Sequence, residues 1–337
     1  MDEAALKEWF KLSDETKKNI FNEINAKTNL PAAAVEKDWW VVRTLDLIFQ
    51  MEVGPHTVFK GGTSLSKAWN LIDRFSEDID LALDYKFLEF EKVENRSQLS
   101  KLKKKSCTYI SEVFYPQLKQ KFEEAGFEGL KLNVAEIKST DQDPLIVEIY
   151  YTSLTDKIEY INPRVLIEIG SRSLMEPASQ KSFCSLVGEH FSEKPFADKN
   201  ITILTVNPEK TFLEKIFLLH EEFQKPVEKV KVDRLSRHLY DLEKIMDTDV
   251  GKNALVDGVL YKHIVEHRSV FNPLTGIDYA NHIPAKINLI PPDDKLKDWE
   301  KDYKEMRVNM IQKNPLPFDK LIERIKELKD RINKLTF

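Results

Sequence analysis

The stretch HTVFKGGTSLSKAWNLIDRFSEDIDLALD, His56–Asp84, decides how this chain is read. Thr57 to Lys60 read as a brief strand that runs into Gly61-Gly62. Two glycines let a backbone turn and approach a ligand closely. Thr63 and Ser64 are then placed to cap a following helix from about Leu65 to Ile72. The amino end of such a helix, with unpaired N–H groups and a positive dipole end, favours a phosphate. In Asp78-Ile79-Asp80-Leu81-Ala82-Leu83 strict alternation puts Ile79, Leu81 and Leu83 on one face of a strand, and Asp78, Asp80 and Ala82 on the other. The two carboxylates lie about 7 Å apart at their Cα atoms by strand rise. That spacing lets both reach a hard divalent cation, which takes carboxylate oxygens together with substrate phosphates. Each half also has a plain reading, as a strand-to-helix connection and as a solvated edge strand. It is their succession, with Arg74, Ser76 and Glu77 between them, that points to phosphoryl chemistry. The GxxxxGK[ST] phosphate loop is absent, since Lys67 follows the turn instead of standing directly ahead of the Ser/Thr.

Working outward, Ser13 caps an expected helix over 14–25, and Pro31 opens a longer one to about Gln50 with Val35, Trp39, Val42, Leu45 and Leu47 or Ile48 on its apolar face. Glu36-Lys37-Asp38 near its start reads as a solvated first turn. After a charged connection over 87–100, a helix is expected over 102–124, with Lys101, Lys103, Lys104 and Lys105 at its start, where they oppose the dipole. Strands are expected over 130–137, 145–152 and 164–170. Glu168 stands in the apolar run Val165-Leu166-Ile167-Glu168-Ile169, where a carboxylate is costly to bury unless paired or bound to metal. It is the candidate third metal ligand, with Glu148 in the run from Leu145 as its competitor; alternation does not separate them.

A loop with Pro177 and Pro195 leads to a strand over 201–206. Asn207-Pro208 then opens a helix to about Phe223. Its buried stripe is Phe212, Ile216, Leu219 and Phe223, with Thr211 and Lys215 on a different side, where a lysine is ordinarily solvated. Residues 225–237 are locally basic. In the helix expected over 234–246, Arg237 and Asp241 have the spacing of an ordinary surface pair. His263 and His267, four apart, have metal-ligand spacing but lack the Glu of an HExxH site.

The bulk composition narrows the class. The 337 residues suffice for two domains, and 42% hydrophobic residues supply a core. A net charge of −5 excludes an overall basic nucleic-acid coat, so RNA contact would need a local patch. Cys107 and Cys184 stand singly, outside any CxxC pair, and read as reduced bystanders. With no membrane-length apolar run and no signal pattern at its start, the chain is expected to be soluble and cytoplasmic, without a membrane partner.

The run Phe59-Lys60-Gly61-Gly62-Thr63-Ser64-Leu65-x-Lys67, followed by Arg74-Phe75-Ser76-x-Asp78-Ile79-Asp80-Leu81, resembles the signature of the AbiEii/AbiGii nucleotidyltransferase toxins of the DNA-polymerase-β-like superfamily. Glu36-Lys37-Asp38-Trp39 upstream, and Glu214-Lys215 and Arg237-x-x-Tyr240-Asp241-Leu242 downstream, follow in that family's order. The stretch Trp299 to Met306 matches more loosely. The resemblance implies an α/β (α+β) polymerase-β-like core with a mixed sheet and flanking helices over 1–206, and a mainly helical C-terminal domain over 207–337. It implies transfer of a nucleoside monophosphate from an NTP with Mg²⁺ or Mn²⁺, toxicity within a toxin–antitoxin or phage-defence pair, a cognate antitoxin protein, and tRNA or another RNA as acceptor in some members. Carried over by position, Asp78 and Asp80 would be metal ligands, Gly62, Thr63 and Ser64 would cradle the triphosphate, and Lys215 would neutralise its charge. Lys60, Gly61, Lys67, Arg74, Ser76, Arg237 and Asp241 complete the expected nucleotide-binding set. Two positions depart from the pattern. Thr63 follows Gly62 where superfamily members often have serine, and His238 follows Arg237 where the family commonly has an acid, which leaves Arg237 or Asp241 to carry that motif. The other readings are a catalytically silent RNA- or protein-binding relative, and a metal-dependent phosphohydrolase or small-molecule nucleotidyltransferase using the same carboxylates.

Overall fold

A computed structural model describes residues 3–311, 313 and 315–337. The chain divides into two compact units, one made of the residues up to Trp69 with Phe75–Val206, the other of Asn70–Arg74 with Asn207–Phe337.

The first unit is built on a mixed seven-stranded sheet, the α/β class that the sequence led us to expect. Its strands are β1 (Thr57–Lys60), β2 (Asp78–Leu83), β3 (Lys131–Val134), β4 (Leu145–Tyr150), β5 (Arg164–Gly170), β6 (Ala178–Phe183) and β7 (Ile201–Val206), ordered β3-β4-β5-β2-β1-β7-β6. The pairs β1/β7 and β2/β5 are parallel and the remaining neighbours antiparallel. Alternation decides what each strand buries. Ile79 and Leu81 of β2, Val147 and Ile149 of β4, and Val165, Ile167 and Ile169 of β5 are all buried. Asp78, Asp80, Glu148 and Glu168 fall on the alternate positions and are half-buried. Each buried branched side chain contributes about 1.5–3 kcal/mol.

Helices α1 (Glu3–Lys11), α2 (Asp14–Thr28) and α3 (Ala32–Phe49) precede the sheet. Ser13 caps α2 as expected, accepting a hydrogen bond from the Thr16 N–H. Pro31 is the N-cap of α3 and not its first helical residue, because its ψ of 141 is extended. The helix after β1, α4 (Gly61–Lys67), begins at the glycines and is over before Ile72. Thr63 and Ser64 therefore lie inside it and are not its caps.

Three further expectations change. The charged connection ends early: Asn95 caps α5 (Arg96–Tyr109) by accepting from the Gln98 N–H. Lys101 to Lys105 thus sit inside the helix, away from the positive dipole end. A π-turn (Ile110–Phe114) joins α5 to α6 (Tyr115–Glu124), next to Pro116, whose missing N–H breaks the regular ladder. The loop between Pro177 and Pro195 contains β6 and α7 (Leu186–His190). β6 escaped notice because Ala178-Ser179-Gln180-Lys181-Ser182 has no apolar alternation; its pairing with β7 makes it a polar edge strand.

The second unit is helical: α8 (Pro208–Glu222), α9 (Ser236–Ile245), α10 (Asp249–Val256), α11 (Gly258–Phe271), α12 (Leu296–Met310) and α13 (Phe318–Asn333). Asn207 and Pro208 open α8 as expected. Among the described residues no helix is long and apolar enough to cross a membrane.

Candidate active site

Strand register lines up the charged side chains of the first unit. Asp80 is the Cα partner of Lys60 on β1 and of Glu168 on β5, and Asp78 stands two residues before it. Register partners point to the same side of a sheet with Cβ atoms about 5 Å apart. Lys60, Asp80 and Glu168 therefore form a row across three strands, and Asp78 shares their face. Glu148, the competitor, is occupied elsewhere: it accepts from Arg164 and, at 2.8 Å, from Asn133 Nδ2.

The glycine turn is shaped by this row. Gly61 has φ +81, and a Cβ there would lie 1.9 Å from Asp80 Oδ2, so only glycine lets the Asp80 carboxylate rest against the turn. Thr63 Oγ1 donates to the Asp78 carbonyl at 2.5 Å and lies 3.0 Å from Ser76 Oγ, tying α4 to the start of β2. Ser64 Oγ donates to the Gly61 carbonyl. Both hydroxyls are buried and serve the fold. Lys67 is paired with Asp38 at 2.9 Å.

Two half-exposed carboxylates on one strand, with a third beside them in register, are oxygen donors of the kind Mg²⁺ takes, and that ion normally completes its shell with water and substrate phosphate. Among the described residues no group of three or more His, Cys, Asp or Glu side chains stands ready to hold a metal on its own.

The second unit gathers the remaining expected residues around Asp241. Arg74 grips it with two hydrogen bonds, Nε to Oδ1 at 2.6 Å and Nη2 to Oδ2 at 2.8 Å. Lys215 Nζ lies 2.9 Å from Oδ2. Asp241 and Lys215 are buried, which replaces the expected surface pair and the expected solvated lysine. Burial alone would push the Asp241 carboxyl up; Arg74 and Lys215 outweigh it and hold that group well below the usual carboxylate range. Burial lowers the Lys215 ammonium against the pull of Asp241. His238 Nδ1 is 3.3 Å from Lys215 Nζ. Burial, Lys215 and Arg237 push the imidazole well below its ordinary value, so it is neutral at pH 7 and its Nδ1 accepts from the ammonium. Thr211 Oγ1, one turn before Lys215, is buried without a hydrogen-bond partner. His267 stacks on Phe271 with ring centroids 4.3 Å apart and is pushed down to about 4 by burial, while His263 is exposed.

Sequence reasoning missed the role of Glu36-Lys37-Asp38. All three are buried, at 1%, 2% and 4% exposure, where a solvated turn was expected. The signal was there to read: apolar Ala33–Val35 and Trp39–Val42 flank the triplet, leaving no polar stripe for it to belong to.

Residues 45–324 match the family described as nucleotidyl transferase AbiEii toxin, type IV toxin–antitoxin system. Among solved structures the chain is similar to the MenT4 nucleotidyltransferase toxin of Mycobacterium tuberculosis. The two are 17% identical, the match covers 96% of this chain and 91% of that one, and the TM-score is 0.51. At that identity the likeness is one of fold. No curated protein sequence matches significantly.

Proposed function

Because the chain belongs to the AbiEii nucleotidyltransferase toxins of type IV toxin–antitoxin systems, we propose that it transfers a nucleoside monophosphate from an NTP to a hydroxyl of an RNA acceptor, tRNA above all. The observation that carries the site is the register that sets Glu168 beside Asp80, with Asp78 on the same strand face. Asp78, Asp80 and Glu168 would hold Mg²⁺ or Mn²⁺. Bound there, the ion supplies charge stabilisation at the five-coordinate phosphorus and a lowered pKa for the attacking hydroxyl.

In the reaction the acceptor oxygen bonds to the α-phosphorus as the bond to the β-phosphate oxygen breaks. Pyrophosphate leaves with that electron pair, and the hydroxyl proton passes to water. The chain's own contribution is to hold and orient. Gly61 and Gly62 give backbone without side-chain bulk next to Asp80, and Lys60, in register with Asp80, adds positive charge for phosphate on that face. Ser76 and Thr63 fix the segment that carries Asp78. In the second unit, Lys215 and Arg237, with Arg74 and Asp241 setting their field, form a cationic cluster suited to phosphate. The buried, unpartnered Thr211 hydroxyl is a spare donor beside it.

The test is label transfer from each α-labelled NTP, with and without total tRNA. Asp78→Ala and Asp80→Ala are each expected to lower transfer by more than about 100-fold with the fold intact, the scale of losing a main transition-state stabiliser. Transfer at the unmodified rate by either variant sinks the assignment. Lys215→Ala should chiefly weaken NTP use. Turnover that needs no RNA would redirect the reading to a small-molecule acceptor.

A further inference from the structure

The Glu36-Lys37-Asp38 triplet lies ahead of the family-matched span 45–324 and has no part in the chemistry above. Successive helix residues point about 100° apart, so three adjacent charges reach three different places. Glu36 accepts from Ser153 Oγ at 2.7 Å, the Leu154 N–H at 2.9 Å and Thr155 Oγ1 at 2.8 Å. Lys37 Nζ donates to Glu77 Oε2 at 2.6 Å and to the Asn162 carbonyl at 3.1 Å. Asp38 takes Lys67 Nζ at 2.9 Å on one oxygen and the Leu186 N–H at 2.7 Å on the other.

Two of these partners adjoin the candidate site. Glu77 is the residue before Asp78 and is 4% exposed. Lys67 is the last residue of α4, the helix that begins at Gly61. Burying an ion costs several kcal/mol, and an apolar side chain of similar size would serve packing as well or better. What an apolar residue would not supply is a directed hold on these two segments.

We propose that Lys37 and Asp38 are positioning residues for nucleotidyl transfer. Lys37, through Glu77, fixes the start of β2, and Asp38, through Lys67, fixes the end of α4, so that the Asp78 and Asp80 carboxylates keep their placement against the glycine turn. This rests on the reading of Asp78 and Asp80 as the metal-binding pair.

The decisive variant is Lys37→Met/Glu77→Met, which removes both charges and keeps the volume. Three readouts are compared with the unmodified chain: Mn²⁺ affinity from the EPR signal of free Mn²⁺, kcat for label transfer with total tRNA, and the thermal unfolding midpoint. Loss of a residue that orients metal ligands typically costs 10- to 100-fold in metal affinity or activity. Mn²⁺ affinity and kcat should each fall by about that factor while the midpoint stays near that of the unmodified chain, a split that a purely structural pair would not give. A folded double variant with unchanged Mn²⁺ affinity and kcat overturns the proposal. If the double variant does not fold, Asp38→Asn, which keeps an acceptor for the Leu186 N–H, decides by the same readouts. Asp78→Ala separates the two layers. Normal Mn²⁺ binding and transfer by Asp78→Ala would remove the site reading itself. A dead Asp78→Ala beside a normal double variant would remove only the positioning role.

Discussion

Each unit buries a cluster of charges, and the two clusters follow opposite plans. In the first unit each ammonium meets a carboxylate, Lys37 with Glu77 and Lys67 with Asp38, while Glu36 is satisfied by two hydroxyls and a backbone N–H. In the second, a single carboxylate, Asp241, is shared by Arg74 and Lys215, and the histidine beside them adds no negative charge. Burial keeps His238 neutral, and Lys215 and Arg237 add to that effect. A network in which each cation has its own carboxylate holds parts in place. One weighted toward cations suits an anionic ligand, because a phosphate in such a field gains more than it would in water. The contrast separates residues that position from residues that bind.

The largest way to break that contrast is Asp241→Ala, which leaves two buried cations without their shared carboxylate. Removing one partner of a buried pair costs about 3–5 kcal/mol, and the loss here should reach the top of that range in urea unfolding at pH 7. The pH dependence has a definite sign. The folded Asp241 carboxyl titrates below its unfolded value, so its stabilisation is fully present above about pH 4 and is lost as the pH falls toward the folded pKa. The acid limb of the stability curve should therefore be shallower in the variant. A loss under about 1 kcal/mol would mean that Asp241 does not organise the cluster.

How much of this was legible in the sequence depended on range. β2 with its two aspartates, β5 with Glu168 and the Asn207-Pro208 helix start are all local patterns, and each appears where the spacing put it; the glycines, expected as a turn ahead of a helix, instead open α4. Glu148 and Glu168 were alike by alternation; only the pairing of β3, β4 and β5 gave Glu148 its Arg164 and Asn133 partners. Asp241 looked like half of a surface pair because its partners, Arg74 and Lys215, are 167 and 26 residues away in sequence. The triplet at Glu36 was misread for the same reason. Charge beside a helix start usually faces water; the flanking apolar residues signal burial, but the partners themselves, Ser153, Thr155, Glu77 and Lys67, are remote in sequence. β6 was missed because an edge strand needs no apolar alternation.

A smaller effect separates either plan from a cluster that depends on a neutral imidazole. In the second unit, His220 Nδ1 accepts from the Asn288 N–H at 3.0 Å, and Nε2 faces the Asn281 carbonyl at 3.0 Å. His282 packs edge-on with its ring centroid 5.0 Å away, and Arg268 pairs with Glu221. Burial, then His282, push His220 down to about 4. A histidine with a lowered folded pKa favours the folded state fully above its unfolded value and penalises it as the pH falls toward the folded one. Between unfolded and folded values of 6.5 and about 4, its protonation should cost about 2 kcal/mol at pH 5. His220→Gln keeps one acceptor and one donor, so its urea stability relative to the unmodified chain should improve by about that amount from pH 7.5 to pH 5. Parallel profiles would show that the imidazole is not held neutral by the fold.

The smallest effect isolates burial as the variable. Lys37–Glu77 and Lys304–Glu300 have nearly the same geometry, at 2.6 and 2.7 Å, but their side chains are 3% and 5% exposed in the first pair and 64% and 41% in the second. Water screens the exposed pair and competes for both of its ends, and holding two long side chains together costs entropy. Such pairs contribute about 0.3–0.5 kcal/mol at helix i,i+4 spacing. Lys304→Ala should therefore change stability by no more than about 0.5 kcal/mol, part of it offset by the higher helix propensity of alanine. Lys37→Met alone strands Glu77 and should cost several-fold more. Similar losses for the two single variants would make ion-pair distance, and not removal from water, the governing quantity, and the distinction between holding and binding clusters would lose its physical basis.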